Sequence, residues 1–203
     1  SIVRLMDNVV EYELVNNRSP IPQQRELLED TREIGLGITN LHGWFLKAGL
    51  QYDSDEAIDL INNFYSFYAY LALKESIKLG KEKGNCLAFD KVTAKDLYDN
   101  SIFVKNIIDT WYSGDYTVLR YLRNLAIMSI APSGSISATF SKGCMSSGVD
   151  PIIAPYYWRK TKAISKGEYD YYFVVIDAVK KYVLEQITDK DSEDYKTISN
   201  SSS

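Results

Sequence analysis

The sequence predicts an α/β fold in which helices dominate. Several stretches space their apolar residues at three and four, the mark of helices with one buried face. Two short apolar runs, 34–38 and 126–131, each meet a glycine or proline-glycine turn and lead towards helical pattern, as βα units do. The third observation is a shortage. Two strands cannot close a barrel or build a large sheet, so the 203 residues read as part of a larger domain.

Val3, Met6, Val9, Val10 and Leu14 predict an amphipathic helix over 3–16, which Pro20 and Pro22 end. Pro22 suits the first turn of a charged helix reaching Arg32, because the N–H it lacks would have no partner there. Ile34-Gly-Leu-Gly-Ile38 is a short buried strand, with Thr39 or Asn40 starting a helix whose inner face is Leu41, Trp44, Phe45 and Leu50. Asp53 and Glu56 are spaced as a capping box around Ser54. The long helix that follows carries Ile58, Ile61, Phe64, Tyr65, Tyr68, Leu71 and Leu73 inward, towards Gly80. Residues 81–99 are polar and read as a loop in which 87–89 docks.

Helices over 102–112 and 116–124 follow, the second capped by Asp115, and 126–131 forms a buried strand closed by Pro132. Residues 151–158 are irregular, and 169–186 is a last amphipathic helix. The tail, 189–203, has no apolar face and is expected to be disordered, leaving 1–188 as the folded part.

The net charge of −4 gives no general attraction to nucleic acid or to an anionic membrane. No apolar stretch approaches the ~20 residues of a spanning helix. Cys86 and Cys144 form neither a disulfide framework nor a metal or redox pair, which favours a reducing, cytoplasmic setting. Their surroundings assign no catalysis: Cys86 reads as a packing residue and Cys144 as part of a linker. His42, the sole histidine, lies at a helix start without ligand partners at metal spacing, and reads as a capping or packing residue. The two glycines of 34–37 are no dinucleotide turn, since Asn40 stands where a third glycine belongs. Tyr65, Tyr68 and Tyr70 read as core or subunit face, with no basic groove beside them for base stacking. Arg159 and Lys160 serve either a solvated face or charge neutralisation near a nucleotide.

The most informative run is Ile130-Ala-Pro-Ser-Gly-Ser-Ile-Ser137. On its residues alone it reads first as a local turn or helix cap and second as an anion cradle. As a cradle, Ser133, Ser135 and Ser137 would donate hydroxyl hydrogen bonds, Gly134 would permit close approach, and a following helix start would add its positive end. It is not a P-loop, because no Gly-Lys-Ser/Thr follows.

This run resembles the Ala-Pro-Thr-Gly-Thr/Ser-Ile-Ser loop of the large, catalytic subunit of ribonucleotide reductases. Ser147-Gly-Val-Asp-Pro151 is similar to that family's Ser-Gly-Ile-Glu-Pro. Thr31-Arg-Glu-Ile-Gly-Leu-Gly37, running on to Leu50 and Tyr52-Asp-Ser-Asp-Glu-Ala57, resembles its Arg-Arg-Ile-Gly-Leu-Gly segment and the helix after it. Leu5-Met-Asp-Asn-Val9 resembles the Leu-Asp-Asn-Val stretch before that. The four matches occur in order over residues 5–151.

The resemblance implies a segment of a ten-stranded α/β barrel, an enzyme reducing ribonucleotides to deoxyribonucleotides, and substrate phosphates bound by Ser133, Gly134, Ser135, Ile136 (through its N–H) and Ser137. It implies a ribonucleoside di- or triphosphate and the remainder of the reductase, in the same or a companion chain, as partners, and is compatible with a homodimer. The family's radical cysteine lies in an Asn-x-Cys-x-Glu motif upstream of the matched region. Neither Cys86 nor Cys144 sits in that motif, so no catalytic residue is assigned and the segment alone is expected to be inactive. The motifs lie closer to the adenosylcobalamin-dependent members than to those with a diiron partner subunit. The alternatives are a non-catalytic helical binding module and one chain of a split reductase.

Overall fold

A computed structural model of the chain describes residues 1–18, 20–134, 136–137, 146–152, 154, 156–162 and 169–201, with backbone alone at 90, 159–162, 169–172, 174, 177–179 and 182. The described elements are α1 (Ile2–Val15), α2 (Pro22–Thr31), α3 (Leu41–Lys47), α4 (Asp55–Lys83), a 3₁₀ turn (Leu87–Asp90), α5 (Ala94–Asn100), α6 (Ile102–Trp111), a second 3₁₀ turn (Tyr116–Arg120), β1 (Tyr156–Lys162), β2 (Tyr169–Val175), α7 (Asp177–Gln186) and α8 (Glu193–Ser199). They fall into two compact units, Ser1–Gly37 with Ile58–Ala131, and Ile38–Ala57 with Pro132–Ser203. Among the described residues no helix is long and apolar enough to cross a membrane.

The first unit is organised around Asp7, a fully buried carboxylate on α1. Its Oδ1 accepts from Nε and Nη2 of Arg32, both at 3.0 Å, from Arg123 Nε at 3.3 Å and from Asn124 Nδ2 at 3.4 Å. Lys83 Nζ donates to Oδ2 at 3.2 Å. Both guanidinium groups also reach Glu11 Oε2, at 2.9 and 3.2 Å. Arg32 adopts left-handed backbone (φ 46°) where α2 ends, which turns the chain back towards α1. Ser76 of α4 completes the set: its hydroxyl donates to Asn124 Oδ1 and accepts from Asn124 N–H, each at 3.0 Å.

Two apolar clusters flank this network. Val3, Val10, Ile34, Leu36, Ala72 and Leu79 form one, and Ala69, Leu73, Ile77, Ile107, Ile108, Leu119 and Leu122 the other; Ile127 packs against both. The runs at 34–36 and 126–129 lie side by side in parallel: Ile34 N–H donates to Ala126 C=O at 3.0 Å and Ser129 N–H to Leu36 C=O at 3.1 Å, with a bridge between Leu36 and Met128. The two predicted strands are thus a single parallel bridge with strand-like flanks. Their approach requires Gly37, where a Cβ would lie 2.7 Å from the Ser129 carbonyl oxygen.

In the second unit β1 and β2 form an antiparallel pair, in register from Tyr156 opposite Val175 to Lys162 opposite Tyr169. The rings of Trp158 and Phe173 meet at 5.2 Å. α7 and α8 are tied by Lys180 Nζ donating to Ser201 C=O at 2.7 Å.

Five elements differ from the sequence expectation. The helix predicted over 116–124 is only the 3₁₀ turn Tyr116–Arg120, because the backbone is already extended at Tyr121. The helix predicted over 169–186 is β2 followed by α7, because Tyr-Phe-Val-Val favours extended backbone and pairs with the tyrosine-rich β1. Residues predicted as irregular from 156 onward are β1. The polar loop at 81–99 contains α5, whose start is a complete capping box: Thr93 Oγ1 accepts from Asp96 N–H, and Asp96 accepts from Thr93 N–H. Residues 189–203, expected to be disordered, include α8, capped by Ser192 accepting from Tyr195 N–H.

α4 buries Ala57, Ala69, Ala72, Leu73, Ser76, Ile77 and Leu79, whereas Ile58, Phe64 and Leu71 of its predicted inner face are exposed. Small residues let neighbouring segments approach that side, so the larger residues are left outside. Ser54 alone caps α4, accepting from Ala57 N–H, while Asp53 accepts from Gln51 Nε2.

Burial alone would push the Asp7 pKa upward, but the Arg32 guanidinium, reinforced by Arg123 and Lys83, holds it below its ordinary 3.8. A lowered carboxylate pKa stabilises the fold above the ordinary value and ceases to do so as pH falls through the folded value. Asp7→Ala would leave two buried guanidinium groups facing each other, and is expected to cost about 3–5 kcal/mol in a urea titration at pH 7. An unfolding midpoint within error of wild type would contradict this account.

Candidate functional site

Sequence analysis placed the site on 133–137, where a helical turn follows the 126–131 run. Gly134, Ile136 and Ser137 are helical, and Ser137 N–H donates to Ser133 C=O at 2.8 Å. The N–H groups of Gly134 and Ile136 come before that first i→i−4 bond and so have no acceptor within the turn. Ser137 is buried, and its hydroxyl donates to Gly134 C=O at 2.8 Å. Ser133 Oγ is buried with no hydrogen-bond partner. A Cβ built on Gly134 meets nothing within 4 Å, so the space over the turn is open. Four of the five predicted residues therefore share one turn; Ser135 lies outside the described residues, as does Cys144.

The second matched motif lies against this turn. Ser137 and Ser147 place their hydroxyl oxygens 3.3 Å apart, within reach of a hydrogen bond in either direction. Residues 146–152 are in turn clasped by the start of α3. Asn40, in left-handed backbone (φ 67°), accepts from Ser146 N–H at 3.2 Å, and Thr39 Oγ1 accepts from Gly148 N–H at 3.3 Å. Leu41 N–H donates to Gly148 C=O at 3.1 Å, and His42 N–H to Ser146 Oγ at 3.2 Å. The first N–H groups of α3, which no helical carbonyl can satisfy, are thus used to hold this segment.

His42 Nδ1 accepts from Ile152 N–H at 2.7 Å, and its ring lies 4.9 Å from that of Tyr52. The Tyr52 hydroxyl donates to Val149 C=O. Burial lowers the His42 pKa from its ordinary 6.5, favouring the neutral ring that an acceptor nitrogen requires. A Cβ at Gly43 would fall 2.0 Å from Asn40 Oδ1, so any larger residue there must displace the Asn40 side chain.

Sequence reasoning gave Asn40 a capping role and His42 a capping or packing role. It missed that both act on a segment about a hundred residues away, together with Tyr52, Ser146 and Ser147. The only local signal was glycine three residues after a capping asparagine. Cys86 is buried before the first 3₁₀ turn, its thiol pKa pushed up by burial. Arg159 and Lys160 lie on β1, with side chains outside the described residues. A cavity of about 350 Å³ in the first unit lies among Glu11, Arg25, Arg32, Asn85 and Arg123. Arg32 and Arg123 there are paired with Asp7 and Glu11, and Arg25 donates to the neutral amide of Asn17.

The pairing of a serine turn with a Ser-Gly-Val-Asp-Pro segment can be set beside known proteins. The family described as "Ribonucleotide reductase, barrel domain" matches residues 1–202. The chain belongs to this family. It is a helix-rich segment of the reductase barrel domain, part of a catalytic subunit.

It is similar to the ribonucleoside-diphosphate reductase subunit alpha of Mycoplasma pneumoniae, 28% identical over 171 residues that cover 72% of this chain and 23% of that protein. The corresponding subunit of Treponema pallidum is 26% identical over 165 residues, covering 80% and 18%. The vitamin B12-dependent ribonucleoside-diphosphate reductase of Mycobacterium tuberculosis is 29% identical over 157 residues, covering 77% and 18%. The chain thus spans about a fifth of the length of these relatives. Both kinds of reductase occur among them, so the resemblance selects neither class.

Gly43→Ala is expected to displace Asn40 and release the Ser146 amide. Hydrogen exchange at Ser146 should accelerate, and stability should fall by about 1–3 kcal/mol, the usual cost of a buried group left unpaired. Unchanged exchange at Ser146 would show that Asn40 does not hold this segment.

Proposed function

We propose that this chain seats the phosphate groups of the nucleotide in a ribonucleotide reductase, through the turn Ser133, Gly134, Ser135, Ile136 and Ser137. Residues 1–188 are then its share of the catalytic barrel. The observation that carries this reading is Ser133 Oγ, a buried hydroxyl left without a partner at the head of a helical turn whose Gly134 has open space above it. A buried hydroxyl without an acceptor costs free energy unless a ligand supplies one. A phosphate oxygen fits, since it accepts from hydroxyl and N–H groups together and favours the positive end of a helical turn.

Within this reading the residues divide their work. Ser133 Oγ, the Ser135 hydroxyl and the N–H groups of Gly134 and Ile136 donate to phosphate oxygens, and the missing side chain at 134 admits them. Ser137, whose hydroxyl is given to Gly134 C=O, shapes the turn and ties it to Ser147. Holding the phosphates fixes the ribose relative to the radical cysteine, which contributes through proximity and orientation. That cysteine belongs to sequence in the remainder of the subunit or in a companion chain, and without it this segment is inactive. The relatives are named for ribonucleoside diphosphates, which favours a diphosphate over a triphosphate.

In the complete enzyme, adenosylcobalamin or a diiron partner subunit would supply the radical. Neither cofactor is assigned to the described residues of the serine turn and its neighbours, whose proposed work is to bind and orient phosphate.

Ser133→Ala separates binding from folding, because it removes a hydroxyl that no internal bond uses. In the complete reductase it should leave the melting temperature unchanged or slightly higher while weakening ribonucleoside diphosphate binding roughly tenfold, or about 1.4 kcal/mol. Gly134→Val should weaken it further by filling the open space. Calorimetry with the diphosphate and with the bare nucleoside checks this; wild-type affinity in both variants would sink the reading.

A further inference from the structure

We propose that His42 is a positioning residue for the phosphate seat: its neutral ring holds residues 146–152 in place, and through Ser147 and Ser137 it holds the serine turn in its binding shape. The inference rests on the reading of 133–137 as that seat.

The proton position follows from the partner. A backbone N–H can only donate, so the 2.7 Å contact from Ile152 requires a lone pair on Nδ1, and the ring's single proton must sit on Nε2. An imidazolium has no lone pair. Protonation therefore does more than weaken this bond: it turns two donors towards each other and leaves a partly buried amide unpaired.

The bond has consequences because of where Ile152 lies. Asn40, Thr39 and Leu41 hold 146 and 148, and Tyr52 holds the Val149 carbonyl. His42 holds 152, beyond the Asp150-Pro151 turn, and so closes the far end of the clasp. Ser147 lies inside the clasped span and is the residue that meets Ser137, 3.3 Å away. Releasing Ile152 thus frees one end of the segment against which the serine turn is braced.

The titratable group in ring contact with His42 is Tyr52, whose hydroxyl is committed to Val149. Asp53 and Asp150, on the two segments packed against the ring, and Lys47 on its own helix are exposed. Burial is what lowers the His42 pKa, so the latch is intact above the ordinary value near 6.5 and is lost as pH falls through the lowered one.

The test compares His42→Leu and His42→Asn in the complete reductase, with a ribonucleoside diphosphate as ligand. Leucine keeps the bulk without an acceptor; the Asn carbonyl oxygen can stand near Nδ1 and does not titrate. His42→Leu should raise the dissociation constant and KM roughly tenfold, with little change in kcat, and should speed hydrogen exchange at the Ile152 amide. His42→Asn should recover most of that loss. As pH falls below the ordinary histidine value near 6.5 and on through the lowered one, wild type should lose more affinity than His42→Asn. The comparison cancels the titration of the terminal phosphate itself, whose pKa is about 6.

Wild-type affinity in His42→Leu, or the same acid dependence in wild type and His42→Asn, would overturn the inference. If His42→Leu does not fold, the pH comparison decides alone. Gly134→Val serves as the control. Where it abolishes binding and the His42 variants behave as wild type, only the role of His42 falls. Where it binds normally, the seat itself is elsewhere and the inference falls with it.

Discussion

The first unit depends on one buried carboxylate. Asp7 is fully buried, and a carboxylate in that position is tolerable only with its charge and lone pairs matched by the protein. The match draws on three separate stretches: the end of α2 through Arg32, the end of α4 through Lys83, and the segment after the second 3₁₀ turn through Arg123 and Asn124, while Glu11 of α1 shares the two guanidinium groups. An apolar cluster can slide and remain an apolar cluster. A carboxylate with several directed donors cannot, so this network fixes the register in which the surrounding helices pack.

That register has a direct consequence for the short parallel pairing. Arg32 gives its carbonyl to Asn124 Nδ2 at 2.9 Å, two residues before Ile34 begins pairing with the 126–129 run. The buried polar network and the strand-like pairing are therefore continuous along both chains. The glycines of the 34–37 run serve the same approach, since Gly37 faces a backbone oxygen and tolerates no side chain there. The 126–129 run is also the stretch that leads, in sequence, into the serine turn.

How much of this was legible in sequence depended on the distance over which each cause acts. α1 and α2 were visible because apolar spacing and a proline at a helix start are local. α5 was equally local, announced by Thr93 and Asp96, and was missed because a polar stretch was taken for a loop. β2 was misread because Tyr169, Phe173 and Ile176 also fit a helical spacing, and only pairing with β1 decides between the two. For α4, size was mistaken for burial: Ala69, Ala72 and Ser76 face inward because their neighbours come close. The serine turn was legible as a run of small hydroxyl residues around a glycine, given meaning by family resemblance. The clasp was not, because Asn40, His42 and Tyr52 act on partners 97–110 residues away and no periodicity encodes such a meeting.

The two polar centres solve the same physical problem in opposite ways. Around Asp7 every charge finds an internal partner, so the cations there are already matched before any ligand arrives. The serine turn is built from uncharged dipoles, and one of them, Ser133 Oγ, has no internal partner. A buried lysine or arginine in that position would need a counter-ion whenever the seat is unoccupied, and a phosphate would have to displace it. A hydroxyl and a few N–H groups cost far less to leave waiting. In the role proposed for this turn, such groups would bind phosphate without the tight ion pairing that slows its release. A turn of this kind must be held in shape by something other than its own weak bonds. The braces at Ser147 and the start of α3 answer that requirement, which is why a short serine turn draws on side chains from a distant part of the chain.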